Sequence, residues 1–173
     1  MEILVVVTIL GILAVSSVPF AELTFIREKE SEFNENLQTI RKAIRSWKRD
    51  FEQRLVQQMS RDALNQVREE LTYPPDLGSM TKTLPYTVPI YDGVATKTFT
   101  FYHPAYIRVI PPDPFIGAPV WIQHYNSNDT STVWSMGTFA GGVGTGVFDI
   151  SAATGTIRRG FDQAVDGTFY QDW

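Results

Sequence analysis

The sequence predicts an α+β chain: one long amino-terminal helix laid on a small antiparallel β-sheet head. Three observations carry this. Ile3 to Ala21 is a run of 19 residues without a charge, and no Gly or Pro interrupts Glu22 to Tyr73. Ile26, Phe33, Leu37, Ile40, Ile44, Trp47, Phe51 and Leu55 then recur at helical spacing. From Tyr73-Pro74-Pro75 onward, short alternating segments separated by turn residues read as strands.

The helix is expected from about Glu2 to Gln57, as two halves with different partners. The first half is apolar on every side, so no single face is selected for a protein core. At 1.5 Å per residue its 19 uncharged residues span roughly 28 Å, near the ~30 Å of bilayer hydrocarbon. The rival reading, a cleaved secretory signal, wants a basic flank, and the flanking charge is Glu2. The second half carries one narrow apolar stripe. Its aromatics Phe33, Trp47 and Phe51 suit a sheet surface better than a two-stranded coiled-coil seam. The division is thus 1–22, a transmembrane or filament-core helix half, and 23–173, a head that includes the rest of the helix.

Ser60 caps a short second helix, Arg61 to Leu71, which the Tyr73-Pro74-Pro75 segment stops. Tyr86–Tyr91 and Val94–Tyr102 flank Asp92-Gly93 as a hairpin, with Pro89 marking an edge strand. Further strands are expected at Tyr106–Ile110, Val120–Tyr125, Thr132–Met136 and Val147–Ile150, with a glycine-rich loop from Gly137 to Gly146.

Composition excludes several classes. The 173 residues contain no cysteine, so disulfides, thiolate metal sites and cysteine nucleophiles are absent. With 15 Lys+Arg against 19 Asp+Glu, the chain lacks the basic balance of a nucleic-acid binder. No nucleophile elbow, phosphate loop or zinc-protease motif occurs, and His103 and His124 sit beside aromatics in strand-like segments. No enzyme is expected.

Three constellations remain. Glu2 precedes the apolar run, where it sits at an interface or pairs with a cation such as a neighbouring chain's terminal ammonium. Along the helix Glu22, Glu28, Glu30, Glu32 and Glu35 form an acidic band, and Arg41, Lys42, Arg45, Lys48, Arg49 and Arg54 a basic one. Their centres lie about 18 residues apart, or ~27 Å, so staggered parallel copies would set acid against base. Otherwise the bands are a solvated face. Finally, between Asp113 and Trp173 six Asp face two basic residues, Arg158 and Arg159. The turns at Asp162 and Asp166 could gather oxygens around calcium or stay solvated. A binding module with Trp121, Tyr125 and Trp134 lining a ligand site is a further reading, against which these aromatics would be sheet core.

Met1 to Ala14, Met-Glu-Ile-Leu-Val-Val-Val-Thr-Ile-Leu-Gly-Ile-Leu-Ala, resembles the amino terminus of type IV pilins and type II secretion pseudopilins. Tyr73-Pro-Pro-Asp-Leu77, Ile110-Pro-Pro-Asp-Pro114, Gly146-Val-Phe-Asp-Ile150 and Asp166 to Trp173 are similar to the major, G-type pseudopilin. The family's near-terminal glutamate falls on Glu2, its helix glycine on Gly11 and its helix proline on Pro19. The resemblance implies a pilin-like fold and a methylated first residue released by a prepilin peptidase. It implies a subunit held in the inner membrane with its head in the periplasm, in contact with lipid before assembly. From there it would polymerise into a helical filament with minor pseudopilins and an inner-membrane assembly platform, driving protein export across the outer membrane. A type IV pilus subunit for adhesion, motility or DNA uptake is the alternative. The assembly residues would be Glu2, Gly11, Pro19, Glu30, Glu32, Arg45 and Lys48, and the metal residues Asp162 and Asp166. Two departures stand out. The residues expected before Met1 are missing, which reads as a shortened or alternative start. Ser151 to Asp172 does not reproduce the family's calcium loop.

Overall fold

The computed structural model describes the chain except residues 1, 60, 92–94, 127–130, 136–145, 154–163 and 171–172. Side chains at 2, 15–19 and 131–135 are also outside the described set. The chain is α+β. Helix α1 (Glu2–Gln58) is 57 residues long, about 86 Å at the usual rise. After it come α2 (Arg61–Gln66), β1 (Tyr86–Tyr91), β2 (Thr96–Phe101), β3 (Val120–Tyr125), β4 (Ser131–Ser135) and β5 (Val147–Ala152).

The strands form two sheets where one was expected. β1 and β2 make an antiparallel hairpin with Pro89 opposite Thr98, and β3 lies between β4 and β5, antiparallel to both. In a two-stranded ribbon both strands are edges, so Pro89 deprives no inner neighbour of a donor.

The second half of α1 spans both sheets with the predicted stripe. Phe33, Leu37, Ile40, Ile44, Trp47, Phe51 and Leu55 are all buried, while Ile26 is half-buried. Trp47 and Phe51 pack edge-on against Phe101, with centroids 5.3 Å away in each case. Phe33 stacks on Trp121 at 5.4 Å and meets Tyr170 edge-on at 5.9 Å. The helix therefore joins two aromatic clusters, one over each sheet.

Three local expectations change. Helix α2 ends at Gln66, and an extended Arg68 (φ −67°, ψ 134°) leads into a 3₁₀ turn at Glu69–Thr72. The break lets Leu71 and Thr72 enter the core, which one continuous helix face would not allow. The cap expected at Ser60 and most of the glycine-rich loop lie outside the described residues. Tyr106–Ile110 is not a strand. Pro104, Pro111 and Pro112 remove donors on either side, and the amides of Tyr106 and Ile107 both turn to the Met80 carbonyl, at 2.9 and 3.3 Å.

The expected single-pass membrane anchor is also corrected. Among the described residues, no helix is long and apolar enough to cross a membrane.

Candidate functional site

The amino-terminal half of α1 exposes what the carboxyl-terminal half buries. Ile3, Leu4, Val5, Val6, Val7, Ile9, Leu10, Ile12 and Leu13 are between 53% and 79% exposed, a continuous surface around the whole helix. Exposure continues through Phe20, Leu23 and Phe25. The hydroxyls of Thr8 and Thr24 donate to the carbonyls of Leu4 and Phe20, at 2.7 and 2.8 Å, so each turns inward along its own helix. A Cβ added at Gly11 would meet nothing within 4 Å, so packing within the chain does not require that glycine. Within a helix it costs roughly 1 kcal/mol against alanine. The side chains of Glu2 and Pro19 lie outside the described residues.

The charge bands divide between internal and external duty. From the basic band, Arg41 grips Asp149 of β5 with Nε to Oδ1 at 2.7 Å and Nη2 to Oδ2 at 3.3 Å, and Nη2 also reaches the Ile150 carbonyl at 3.1 Å. Lys48 Nζ donates to Glu69 and to the Tyr73 hydroxyl, both at 2.8 Å, and lies over the Tyr73 ring. Burial pulls the Lys48 pKa down, but the bonds to Glu69 and Tyr73 outweigh it and the net shift is upward. The hydrogen bond from Lys48 holds Glu69 below its ordinary value. In the acidic band Glu32 pairs with Lys29 at 3.4 Å. Glu30 accepts from the Val165 amide at 2.7 Å and the buried Tyr170 hydroxyl at 2.9 Å, fastening the carboxyl-terminal segment to α1. Arg45 is exposed.

Among the described residues no three acidic or imidazole groups come together. Asp166 Oδ1 accepts from the Thr168 amide and hydroxyl at 3.0 and 2.6 Å, and the hydroxyl bond in particular keeps its pKa low. Thr168 Oγ1 in turn accepts from the Trp173 indole at 2.8 Å, so Asp166 organises a turn. Asp162 lies outside the described residues.

Both histidines sit against aromatic rings. His103 packs on Trp47 with centroids 4.0 Å apart, and burial lowers its pKa below the ordinary value. His124 Nε2 lies 2.8 Å from Ser151 Oγ. Trp121 and Tyr125 are buried in the core, with the Trp121 indole donating to the Pro111 carbonyl at 2.9 Å. The Trp134 side chain lies outside the described residues.

Sequence reasoning missed the fastening of Glu30 and the Arg41–Asp149 fork. Their partners lie 135 to 140 and 108 residues away, and no local pattern marks them. A polar cleft at Asp50 and Tyr106 was missed for the same reason. Comparison of the chain with protein-family models, curated proteins and solved structures finds no match.

Proposed function

We propose that this chain is a structural subunit of a type II secretion pseudopilus, with a pilin-like head. It polymerises through the amino-terminal half of α1 into a filament that drives protein export across the outer membrane. The observation that carries this reading is the all-round exposure of nine large apolar residues between Ile3 and Leu13. Each such side chain gains roughly 1.5–3 kcal/mol when fully removed from water. A surface apolar on every side is satisfied by neighbours on every side, which is the environment at the centre of a helical bundle of identical helices. The resemblance of Met1–Ala14 to pseudopilins supports the same assignment and brings with it the minor pseudopilins, the assembly platform and a prepilin peptidase as partners. Gly11, unneeded within the chain, offers a point of close approach between neighbouring helices.

The test uses the full chain, expressed with a type II secretion apparatus and examined by electron microscopy of sheared cells. The expected result is a thin fibre containing this chain. Leu10→Asp should abolish it while leaving the melting temperature of the head unchanged, since Leu10 lies outside the core. Fibres of Leu10→Asp as abundant as those of the parent would refute the role given to this helix half.

A further inference from the structure

A cleft of about 330 Å³ opens on the head where the end of α1 faces the segment that follows β2. One wall is a polar helix face of Asp50, Gln53, Arg54 and Gln57, spaced for successive turns. The other includes Tyr102 and Tyr106. The two walls are tied together, because the Tyr106 hydroxyl donates to Asp50 Oδ2 at 3.0 Å. Arg49 Nε, 3.3 Å from Asp50 Oδ1, holds the same carboxylate from the other side. Tyr102 is 69% exposed although it lines the cleft, so much of its ring remains available.

The chemistry of the walls selects a ligand class. Two primary amides, a guanidinium and a carboxylate supply donors and acceptors in a mixed array, which suits adjacent hydroxyl groups. The lining side chains include one carboxylate and one guanidinium, so the cleft is not built around a single charge. The phenol rings offer apolar surface beside those polar groups. The volume lies at the lower end of the ~300–1,000 Å³ range of ligand pockets. We propose that this cleft binds a neutral saccharide of one or two rings, its hydroxyls held by Asp50, Gln53, Arg54 and Gln57 and one apolar ring face on Tyr102. This site belongs to the head and is independent of the polymerising helix half.

The test is isothermal titration of the full chain, kept dispersed in a detergent without a sugar headgroup. The probes are glucose, galactose, mannose, maltose and lactose, with inorganic phosphate as the anionic control. One-to-one saturable binding of at least one sugar is expected, with Kd of about 10 mM or tighter. Tyr102→Ala and Arg54→Ala, both at exposed positions, should each weaken it by about fivefold or more without lowering the melting temperature. Absence of saturation with all five sugars, saturation by phosphate alone, or sugar binding unchanged in both variants would each overturn the proposal.

Discussion

Removing the Arg41 guanidinium tests whether the basic band on α1 serves the chain's own fold. Arg41 makes three hydrogen bonds across a sequence gap of more than 100 residues: two to the Asp149 carboxylate and one to the Ile150 carbonyl. In full burial, each bond to a charged group would contribute about 1.5–3 kcal/mol. The side chains of Arg41 and Asp149 are 23% and 38% exposed, so water and salt screen part of that. Asp149 Oδ1 also keeps the Ile150 amide at 2.8 Å, so truncating Arg41 does not strand the carboxylate. These considerations place Arg41→Ala at about 2 kcal/mol of lost stability. For a chain of this length that corresponds to a fall of roughly 4–8 °C in melting temperature. The assay is a double-mutant cycle with Asp149→Ala, read by thermal and urea unfolding. A coupling of about 1 kcal/mol or more is expected. Additive losses, with no coupling, would show that the fork does not fasten the helix to β5.

Two other perturbations follow from the packing. A Cβ at Gly146 would overlap the Glu70 carbonyl oxygen and come within 2.6 Å of Tyr73 Cβ. Gly146→Ala should therefore cost about 1–3 kcal/mol or more in urea unfolding, and a neutral result would mean that β5 enters the head along another path. His103 supplies a pH dependence. Because burial lowers its folded pKa, the unfolded chain takes up a proton first. Its contribution is intact above the unfolded value near 6.5, declines as pH falls below that value, and levels off below the folded pKa. His103→Phe should flatten this acid-side loss in melting temperature measured between about pH 7 and pH 5, and an unchanged profile would exclude His103 as its source.

The long helix was legible because its signals are local. An unbroken run without Gly or Pro, followed by an i, i+3, i+4 apolar stripe, places α1 and its buried face to within a residue. The hairpin and strands β3 to β5 were legible through turn residues and β-branched or aromatic content. Tyr106–Ile110 has the composition of a strand, but its amides go to Met80, a pairing that no spacing encodes. The division into two sheets was hidden for a related reason: β1 pairs with β2, and β3 with β4 and β5, which no local spacing marks. The helix end near Gln66 depended on burying Leu71 and Thr72, a tertiary demand that overrode helical periodicity. In the candidate site, exposure of the apolar half could be anticipated from residues alone. The fates of Glu30, Arg41 and Lys48 could not, since a charged residue on a helix looks the same whether its partner is water, another chain or a distant loop.

Those three fates reshape how register could be set in the proposed filament. Glu30 holds the carboxyl-terminal segment, Arg41 holds β5, and Lys48 holds the turn at Glu69, so each already has an intramolecular partner. Reversing Lys48 or Glu30 would disturb the head itself and could not report on contacts between copies. Glu22, Glu28 and Glu35 remain exposed on one stretch, and Lys42, Arg45 and Arg49 on the next. Their centres are still separated by roughly 17 residues, or ~26 Å along the axis. Segregation of charge therefore survives once Glu30, Arg41 and Lys48 are set aside, and staggered parallel copies would still bring opposite signs together. Exposed pairs contribute only about 0–1 kcal/mol each, too little to drive polymerisation against a large apolar surface. Their effect would be discrimination between registers of similar apolar burial, which places attraction in the first half of α1 and alignment in the second.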